Sequence, residues 1–447
     1  MDELYEMRNR TKMLLRSGCP TVSQYEEALP LCKELWESFP VSHELWDAHQ
    51  YANCLRKLNR LDEAEVVCES VYFDFKDADL NPEQSRPFLY IKNLFAWIIN
   101  DKYIKTIRHL NYPYATTVLD KLVLLYELIQ QNGSNVPSFS FCALTTLNQL
   151  VKMDTSIDYE KFLYVLNRLD PALLSSEAYQ YTDPSGKMRE SASQRENFYK
   201  IKSDALLKTK RYEECILCCN EAMETIEQLH YSNNIWFERK IAIALGALGN
   251  IDEAIKKLEK LIVISDKWFL LYEIGKLYLQ LNQPLCALEY MLRAVCTKDP
   301  EKMKVSLIES LGDLLNEIDE KSFAQDNFLF ARQIRLSNDW TVQDKLNQKI
   351  VVEREVNFKE IRNSWIHRLY QLVGSKQGKV HKLFSNKTGG FIQADKPYYF
   401  QFKNFFGKSD LLNVGDTVIF IVTASYDRKR QIETEEAMVI TPFKKNK

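Results

Sequence analysis

The sequence predicts a mainly α-helical protein, in which a series of helical hairpins is followed by a small five-stranded β-barrel. Similar helical segments recur along most of the 447 residues. The last 74 residues instead contain short segments rich in β-branched and aromatic residues, separated by turn-forming residues. Because the chain is longer than a single hydrophobic core usually serves, we expect several domains.

The recurring segments share one small residue, near the start of what we predict to be the second helix of each hairpin. This residue falls at six positions: Ala28, Ala64, Cys215, Ala254, Ala287 and Ala324. Neighbouring positions are separated by 36 residues in the first block and by 39, 33 and 37 residues in the second. A hairpin of this kind cannot bury both of its faces alone, so successive hairpins are expected to stack.

The pattern resembles the tetratricopeptide repeat (TPR), whose period is 34 residues. Tyr25 and Tyr212 precede the small residue by three positions, and Gly275 and Gly312 precede it by twelve. The resemblance is strongest over residues 199–338, although Cys215 replaces the usual alanine. It implies a right-handed solenoid whose concave groove holds a protein partner.

The domain organisation predicted from these patterns has four parts. Residues 1–198 contain TPR-like and degenerate helical repeats, and residues 199–338 contain the better repeats. Residues 339–373 carry an apolar stripe at helical spacing and are expected to cap the stack before a C-terminal module at residues 374–447. The most polar stretch, residues 182–197, is interpreted as a connector, with a loop over the groove as the alternative.

Charge and glycine content both change at the last boundary. Residues 374–447 carry 13 basic and 7 acidic side chains, a net charge of +6, whereas the preceding residues carry a net charge of −8. Six of the 13 glycines also lie in this final part. A basic module on an acidic body indicates separate partners, a polyanion for the module and a protein for the body.

The start of the module resembles the cold-shock domain, a member of the OB-fold class. The family reads roughly G-x-V-K-W-F-N-x-x-K-G-F-G-F-I over its first two strands, and residues 378–392 read GKVHKLFSNKTGGFI. The family's third strand, V-F-V-H-F, is similar to YYFQF at residues 398–402. The resemblance implies that one face of the barrel binds single-stranded nucleic acid, with aromatic rings stacked on bases and lysines near phosphates.

The resemblance assigns most of the candidate site residues. Phe391, Tyr399 and Phe402 correspond to stacking positions, Gln401 takes the place of the family's histidine, and Lys387 faces phosphate. The complete predicted nucleic-acid-binding set is Lys382, Phe384, Lys387, Phe391, Tyr399, Gln401, Phe402 and Lys403.

Two positions depart from the family. Lys382 stands where the family has an exposed tryptophan, and Gly389 replaces the first aromatic residue of the second strand. Phe384 can supply a stacking ring if the first strand carries a one-residue bulge. The alternative at the exposed aromatic positions is contact with a partner protein.

The leading functional hypothesis is a non-enzymatic adaptor, which binds a protein through the TPR-like groove and single-stranded RNA or DNA, with RNA favoured, through the barrel. The alternative is a regulatory protein-interaction subunit whose barrel has lost nucleic-acid affinity; a specialised form would serve a prokaryotic defence or conflict system. An enzyme is the third hypothesis, but no catalytic motif stands out.

Neither a metal site nor a cofactor is expected. Cys215, Cys218 and Cys219 are interpreted as helix core, because a zinc site needs further ligands and no second cluster follows. No stretch of 18 uninterrupted apolar residues occurs, so we expect a cytoplasmic protein that does not enter the membrane.

Overall fold

The computed structural model describes most of the chain. The chain divides into two compact units, Met1–Tyr231 and Ser232–Lys447. The ranges described are residues 2–16, 20–39, 44–107, 115–129, 138–152, 157–386, 388–407, 412–427 and 430–443. The chain is mainly helical and ends in a five-stranded sheet, which confirms the predicted order of the two structural classes. None of the described helices combines the length and the apolar character needed to cross a bilayer.

The first unit consists of helices that pack mainly on their neighbours in sequence. Its described helices are α1 (Asp2–Leu15), α2 (Val22–Glu37), α3 (Leu45–Lys57), α4 (Leu61–Phe75), α5 (Pro82–Ile99), α6 (Ala115–Ile129), α7 (Phe139–Lys152), α8 (Tyr159–Leu166), α9 (Gln194–Lys208) and α10 (Tyr212–Thr225).

A β-hairpin interrupts the helices of the first unit, where the sequence predicted only a connector. Strand β1 (Tyr179–Thr182) pairs antiparallel with β2 (Met188–Ser191). The turn between them is organised by Asp183, whose carboxylate accepts hydrogen bonds from the backbone N–H groups of Ser185 and Lys187. The sequence predicts this turn from its residue types, but not the two short, exposed strands that it joins.

The second unit begins with three helical pairs and two further helices. They are α11 (Asn233–Ala247), α12 (Ile251–Ile264), α13 (Trp268–Gln280), α14 (Pro284–Val295), α15 (Val305–Glu317), α16 (Lys321–Ser337), α17 (Asp344–Lys349) and α18 (Phe358–Val373).

The six small residues that defined the repeat all lie in the second helix of a packed pair, as the sequence predicted. Each of them is fully buried. The glycines at the preceding repeat position also lie at close contacts: a Cβ atom on Gly312 would lie only 2.6 Å from the Phe328 ring. Small residues at these points therefore allow the paired helices to approach each other closely.

Helix α18, which lies in the segment predicted to cap the stack, packs on α14 and α16. Trp365 is 1% exposed, and its indole N–H donates a 2.9 Å hydrogen bond to Oδ1 of Asn327 on α16. Ile361 and Leu369 lie on the same buried stripe. The indole N–H thus has a hydrogen-bond partner inside the core, so its burial costs little folding free energy.

The C-terminal sheet contains five strands: β3 (Lys376–Leu383), β4 (Gly389–Gln393), β5 (Pro397–Gln401), β6 (Thr417–Asp427) and β7 (Ile432–Pro442). Their order is β3-β4-β5-β7-β6, and β3 pairs with β6, so the sheet closes on itself. All pairings are antiparallel except that of β5 with β7. The interior is filled by apolar side chains that include Val380, Ile392, Phe400, Val418 and Phe420.

The C-terminal sheet shares a hydrophobic core with the helices before it. Ile421 and Val439 are buried in the same apolar cluster as Trp365. The Tyr370 hydroxyl, on α18, donates a hydrogen bond to the carbonyl of Val439 and lies 3.1 Å from the carbonyl oxygen of Ile419. Burial of this hydroxyl raises the pKa of Tyr370. It remains a neutral donor at physiological pH.

Replacing Tyr370 with phenylalanine is expected to lower the free energy of unfolding by about 1–3 kcal/mol, because buried carbonyls lose a hydrogen-bond donor. Urea denaturation of the full chain measures this change. Tyr278→Phe is the matched control: its ring stacks on Tyr290, and its hydroxyl has no hydrogen-bond partner among the described residues. Equal effects of the two substitutions would show that the Tyr370 hydroxyl does not hold the sheet.

Candidate nucleic-acid interface

A β-bulge in the first strand of the C-terminal sheet sets the geometry of the candidate site. Val380 pairs with Ile392 and Lys382 pairs with Phe391, so His381 is an extra residue on β3. A bulge of this kind reverses which side chains point outward. The side chains of Lys382 and Phe384 therefore face the same side of the sheet as Lys379, which lies before the bulge.

Three of the predicted stacking residues meet on this outer face. The ring centroids of Phe384 and Phe391 are 5.8 Å apart, those of Phe391 and Tyr399 are 5.9 Å apart, and those of Phe384 and Tyr399 are 6.1 Å apart. All three side chains are partly exposed. We call Phe384, Phe391 and Tyr399 the aromatic cluster.

The glycines beside the cluster are required by the backbone. A Cβ atom on Gly389 would lie 2.1 Å from the carbonyl oxygen of Phe400, and one on Gly390 would lie 2.1 Å from that of Lys382. No larger residue fits at these points without movement of a neighbouring strand. An aromatic residue at position 389, as in the cold-shock family, is therefore incompatible with this backbone, and Phe384 supplies the third ring of the cluster instead.

Two lysines flank the aromatic cluster. Lys382 lies next to Phe391 in register, and Lys379 lies opposite Gln393 on the same outer face. Both are exposed, and neither makes an ion pair within the described part of the chain. Lys379 was not predicted as a site residue; the alternation of GKV before the bulge was the signal that could have identified it. Lys387, predicted to face phosphate, lies outside the described residues.

The remaining predicted residues are engaged in other contacts. Phe402 packs against Phe400 at a ring distance of 5.6 Å. The ammonium group of Lys403 lies 2.7 Å from the carboxylate of Asp266, in the turn between α12 and α13. These two residues connect the sheet to its own core and to the helices.

Gln401 contacts a buried carboxylic acid, Glu436 of β7. Burial is the main reason that the pKa of Glu436 is raised, and the negative charge of Asp266 raises it further. Hydrogen bonds from Gln401 and Ser425 act in the opposite direction. Because Tyr399 pairs in register with Glu436, the two side chains lie next to each other on the same face of the sheet.

The cysteine group does not point to another site. Cys215 and Cys219 are fully buried and Cys218 is 5% exposed. Over the ranges that the structure describes, no group of three or more His, Cys, Asp or Glu side chains is arranged to hold a metal ion.

Comparisons with known proteins give only distant structural likeness. Neither a protein-family model nor a curated protein matches the chain. Among solved structures, human IFIT1 in its dimer with m7Gppp-AAAA is 11% identical, with a TM-score of 0.31, and the match covers 78% of this chain and 70% of that chain.

Two further solved structures have similar values. The Cut9–Hcn1 complex of the APC/C is 12% identical with a TM-score of 0.34, over 78% of this chain and 69% of that one. A tetratricopeptide repeat protein from Parabacteroides merdae is 10% identical with a TM-score of 0.26, over 69% of this chain and 98% of that one. These TM-scores are all below 0.5, and the proposals below rest on the residues and contacts of this chain.

The raised pKa of Glu436 predicts a pH dependence of stability. The folded state binds its proton more tightly than the unfolded state, so ionisation costs stability as pH rises above the unfolded pKa of about 4.5 through the raised folded value. Glu436→Gln should therefore raise the free energy of unfolding at neutral pH, and this gain should shrink toward pH 4. Urea denaturation between pH 4 and pH 8 measures the difference. A gain that is the same at every pH would contradict the assignment.

Proposed function

We propose that this chain is a non-enzymatic adaptor that binds single-stranded nucleic acid, with RNA favoured over DNA, on its C-terminal sheet and a protein partner on its helical pairs. The observation that carries the nucleic-acid part is the aromatic cluster flanked by Lys379 and Lys382. Aromatic rings provide stacking surfaces for bases, and lysines beside them contact phosphates.

The position of the cluster supports a cold-shock-like OB fold. OB folds are five-stranded barrels that bind oligonucleotides on the face of their second and third strands and at the loop between their first and second strands. Phe391 and Tyr399 lie on the second and third strands of the C-terminal sheet, and Phe384 lies at the end of the first. The closed pairing order is compatible with such a barrel.

The protein-binding part is supported by exposed aromatic side chains on the first helices of adjacent pairs. Trp236 of α11 is 38% exposed and stacks on Phe269 of α13, with ring centroids 4.7 Å apart. The guanidinium of Arg239 lies over both rings and pairs with Glu273. Aromatic side chains and arginine are the residue types most enriched where proteins bind one another tightly.

One set of contacts favours the alternative function, a regulatory subunit whose sheet does not bind nucleic acid. Phe402 and Lys403, two of the predicted contacts, are held by Phe400 and Asp266. A smaller binding face remains, and oligonucleotide titration distinguishes the two functions.

Replacing a ring of the cluster should weaken oligonucleotide binding. Loss of a stacked base contact costs about 1–3 kcal/mol, so Phe391→Ala or Tyr399→Ala should weaken binding of a fluorescent 12-nucleotide oligouridine by roughly tenfold. Trp340→Ala, which removes an exposed aromatic side chain on the segment between α16 and α17, is the control and should bind as the unmodified chain does. The full chain is used, because the sheet shares its core with the helices. Absence of binding at low salt would support the regulatory alternative.

The lysines should contribute mainly to the salt dependence. Lys382→Ala and Lys379→Ala should each reduce the slope of log affinity against log salt concentration by about 0.7, the value for one single-strand phosphate contact. The same titration at four salt concentrations measures this slope. Slopes identical to that of the unmodified chain would show that these lysines do not face phosphates.

The two binding activities should separate in co-purification from the native host. Trp236→Ala should lose the protein partner and retain oligonucleotide binding, whereas Tyr399→Ala should show the reverse. Mass spectrometry of the retained proteins, and sequencing of any retained nucleic acid, identify both partners from one preparation. Retention of the same proteins by Trp236→Ala and the unmodified chain would place the partner elsewhere.

A further inference from the structure

Strand β6 has a long backbone edge without a strand partner. Its pairing with β3 ends at Phe420, which lies opposite Lys376, the first residue of β3. On its other side, β6 continues to pair with β7 as far as Asp427 opposite Ile432. Residues 421–427 therefore have one side of the backbone that pairs with no described strand.

The pairing pattern shows which residues present their backbone groups on this side. The carbonyl of Thr417 accepts a hydrogen bond from the N–H of Phe443, and the carbonyl of Asp427 accepts one from the N–H of Gln431. The backbone groups of odd-numbered β6 residues therefore point toward β7 at both ends of the strand. In an antiparallel ladder this direction alternates from residue to residue. The N–H and C=O groups of three even-numbered residues therefore point to the unpaired side: Val422, Ala424 and Tyr426.

A groove runs along this unpaired edge. A cavity of about 530 Å³ lies between Val422–Ala424 and the helices α12 and α14, where Ile262, Val263 and Tyr290 line it. A second cavity of about 500 Å³ lies beside Tyr426 and the end of α12. Glu259 and Val263 line both cavities, so the two lie next to each other along the edge. Each has a volume typical of ligand-binding sites.

The edge lacks the features that usually prevent strand addition. Natural edge strands are commonly short or carry lysine, proline or a bulge. Residues 421–426 read IVTASY and contain neither a charged residue nor proline. The edge is therefore suited to hydrogen bonding with an additional strand.

Charged side chains of both signs line the outer end of the groove. Lys256 and Lys260 are exposed, line the cavity beside Tyr426 and have no acidic partner among the described residues. Glu259, which accepts a hydrogen bond from Tyr290, and Glu433 line the same cavity. The two positive and two negative charges balance, so backbone pairing rather than net charge defines the occupant, an extended peptide.

We propose that this groove binds an extended segment of a partner protein, which adds to β6 as a further strand. Val422, Ala424 and Tyr426 supply main-chain hydrogen bonds, and apolar side chains at alternate positions of the segment contact Ile262 and Val263. Main-chain pairing gives the affinity, and the pockets for alternate side chains give the selectivity. The site is separate from the aromatic cluster and does not depend on nucleic-acid binding.

A random 12-residue peptide library displayed on phage and selected against the full chain tests the proposal. The enriched peptides are expected to alternate apolar residues with others. Ala424→Pro should weaken their binding by roughly tenfold, because proline removes one edge N–H group and obstructs the added strand. The substitution should leave the sheet folded, since this N–H does not face β7. Ala424→Val keeps the N–H and should bind within about twofold of the unmodified chain.

Residue-resolved hydrogen exchange provides the second measurement. In the free chain, the amides of Val422, Ala424 and Tyr426 should exchange faster than those of Thr423 and Ser425, which face β7. A bound peptide should slow the exchange of the first three amides.

Several results would overturn the proposal. They are the absence of enriched peptides, equal binding by Ala424→Pro and Ala424→Val, and protection of amides elsewhere than in residues 421–427. Protection of these amides by the 12-nucleotide oligouridine, in competition with the peptide, would instead assign the groove to nucleic acid and also overturn it.

Discussion

The contact between the C-terminal sheet and the last helical pairs is the constraint on which both candidate surfaces depend. Ile421 and Val439 contribute to the helical core, and the Tyr370 hydroxyl bonds to the sheet's backbone. Because apolar burial and buried hydrogen bonds act together at this contact, the sheet is held in one orientation against the helices of its unit. It is part of the second unit rather than a module joined by a free linker.

This packing gives different parts of the sheet different roles. Lys403 and Phe402 are used in contacts that hold the sheet, by an ion pair with Asp266 and by packing on Phe400. The outer face of β3, β4 and β5 remains open and carries the aromatic cluster. The far half of β6 lies beside α12 and α14, where its unpaired edge forms one wall of a groove. A single small sheet therefore presents two chemically distinct surfaces, one aromatic and basic and one formed by an unpaired backbone edge.

The bulge at His381 and the close strand approach at Gly389 and Gly390 are linked features. The glycines allow β4 to lie tightly between β3 and β5, which excludes a ring at position 389. The bulge turns Phe384 to the outer face, where it packs with Phe391 and Tyr399. The bulge and the glycines together thus leave three aromatic rings in contact on the outer face.

The sequence by itself determined the features that local pattern encodes. Small residues at a regular spacing identified the second helix of each pair, because close helix packing requires them, and short strand motifs placed Phe391 and Tyr399 on neighbouring strands. The turn at residues 183–186 was predicted from its residue types, but the two strands beside it were missed, because each has only four residues and neither buries an apolar face.

Only the tertiary structure decided the engagement of Phe402 and Lys403, the position of Phe384 and the free edge of β6. These features depend on pairing and packing between residues far apart in the chain. Closure of the sheet determines that β3 begins at Lys376, and packing of the sheet on the helices determines which helix lies beside Ala424. Local periodicity carries no information about that closure, because the same strand sequence can occupy an edge or a paired position.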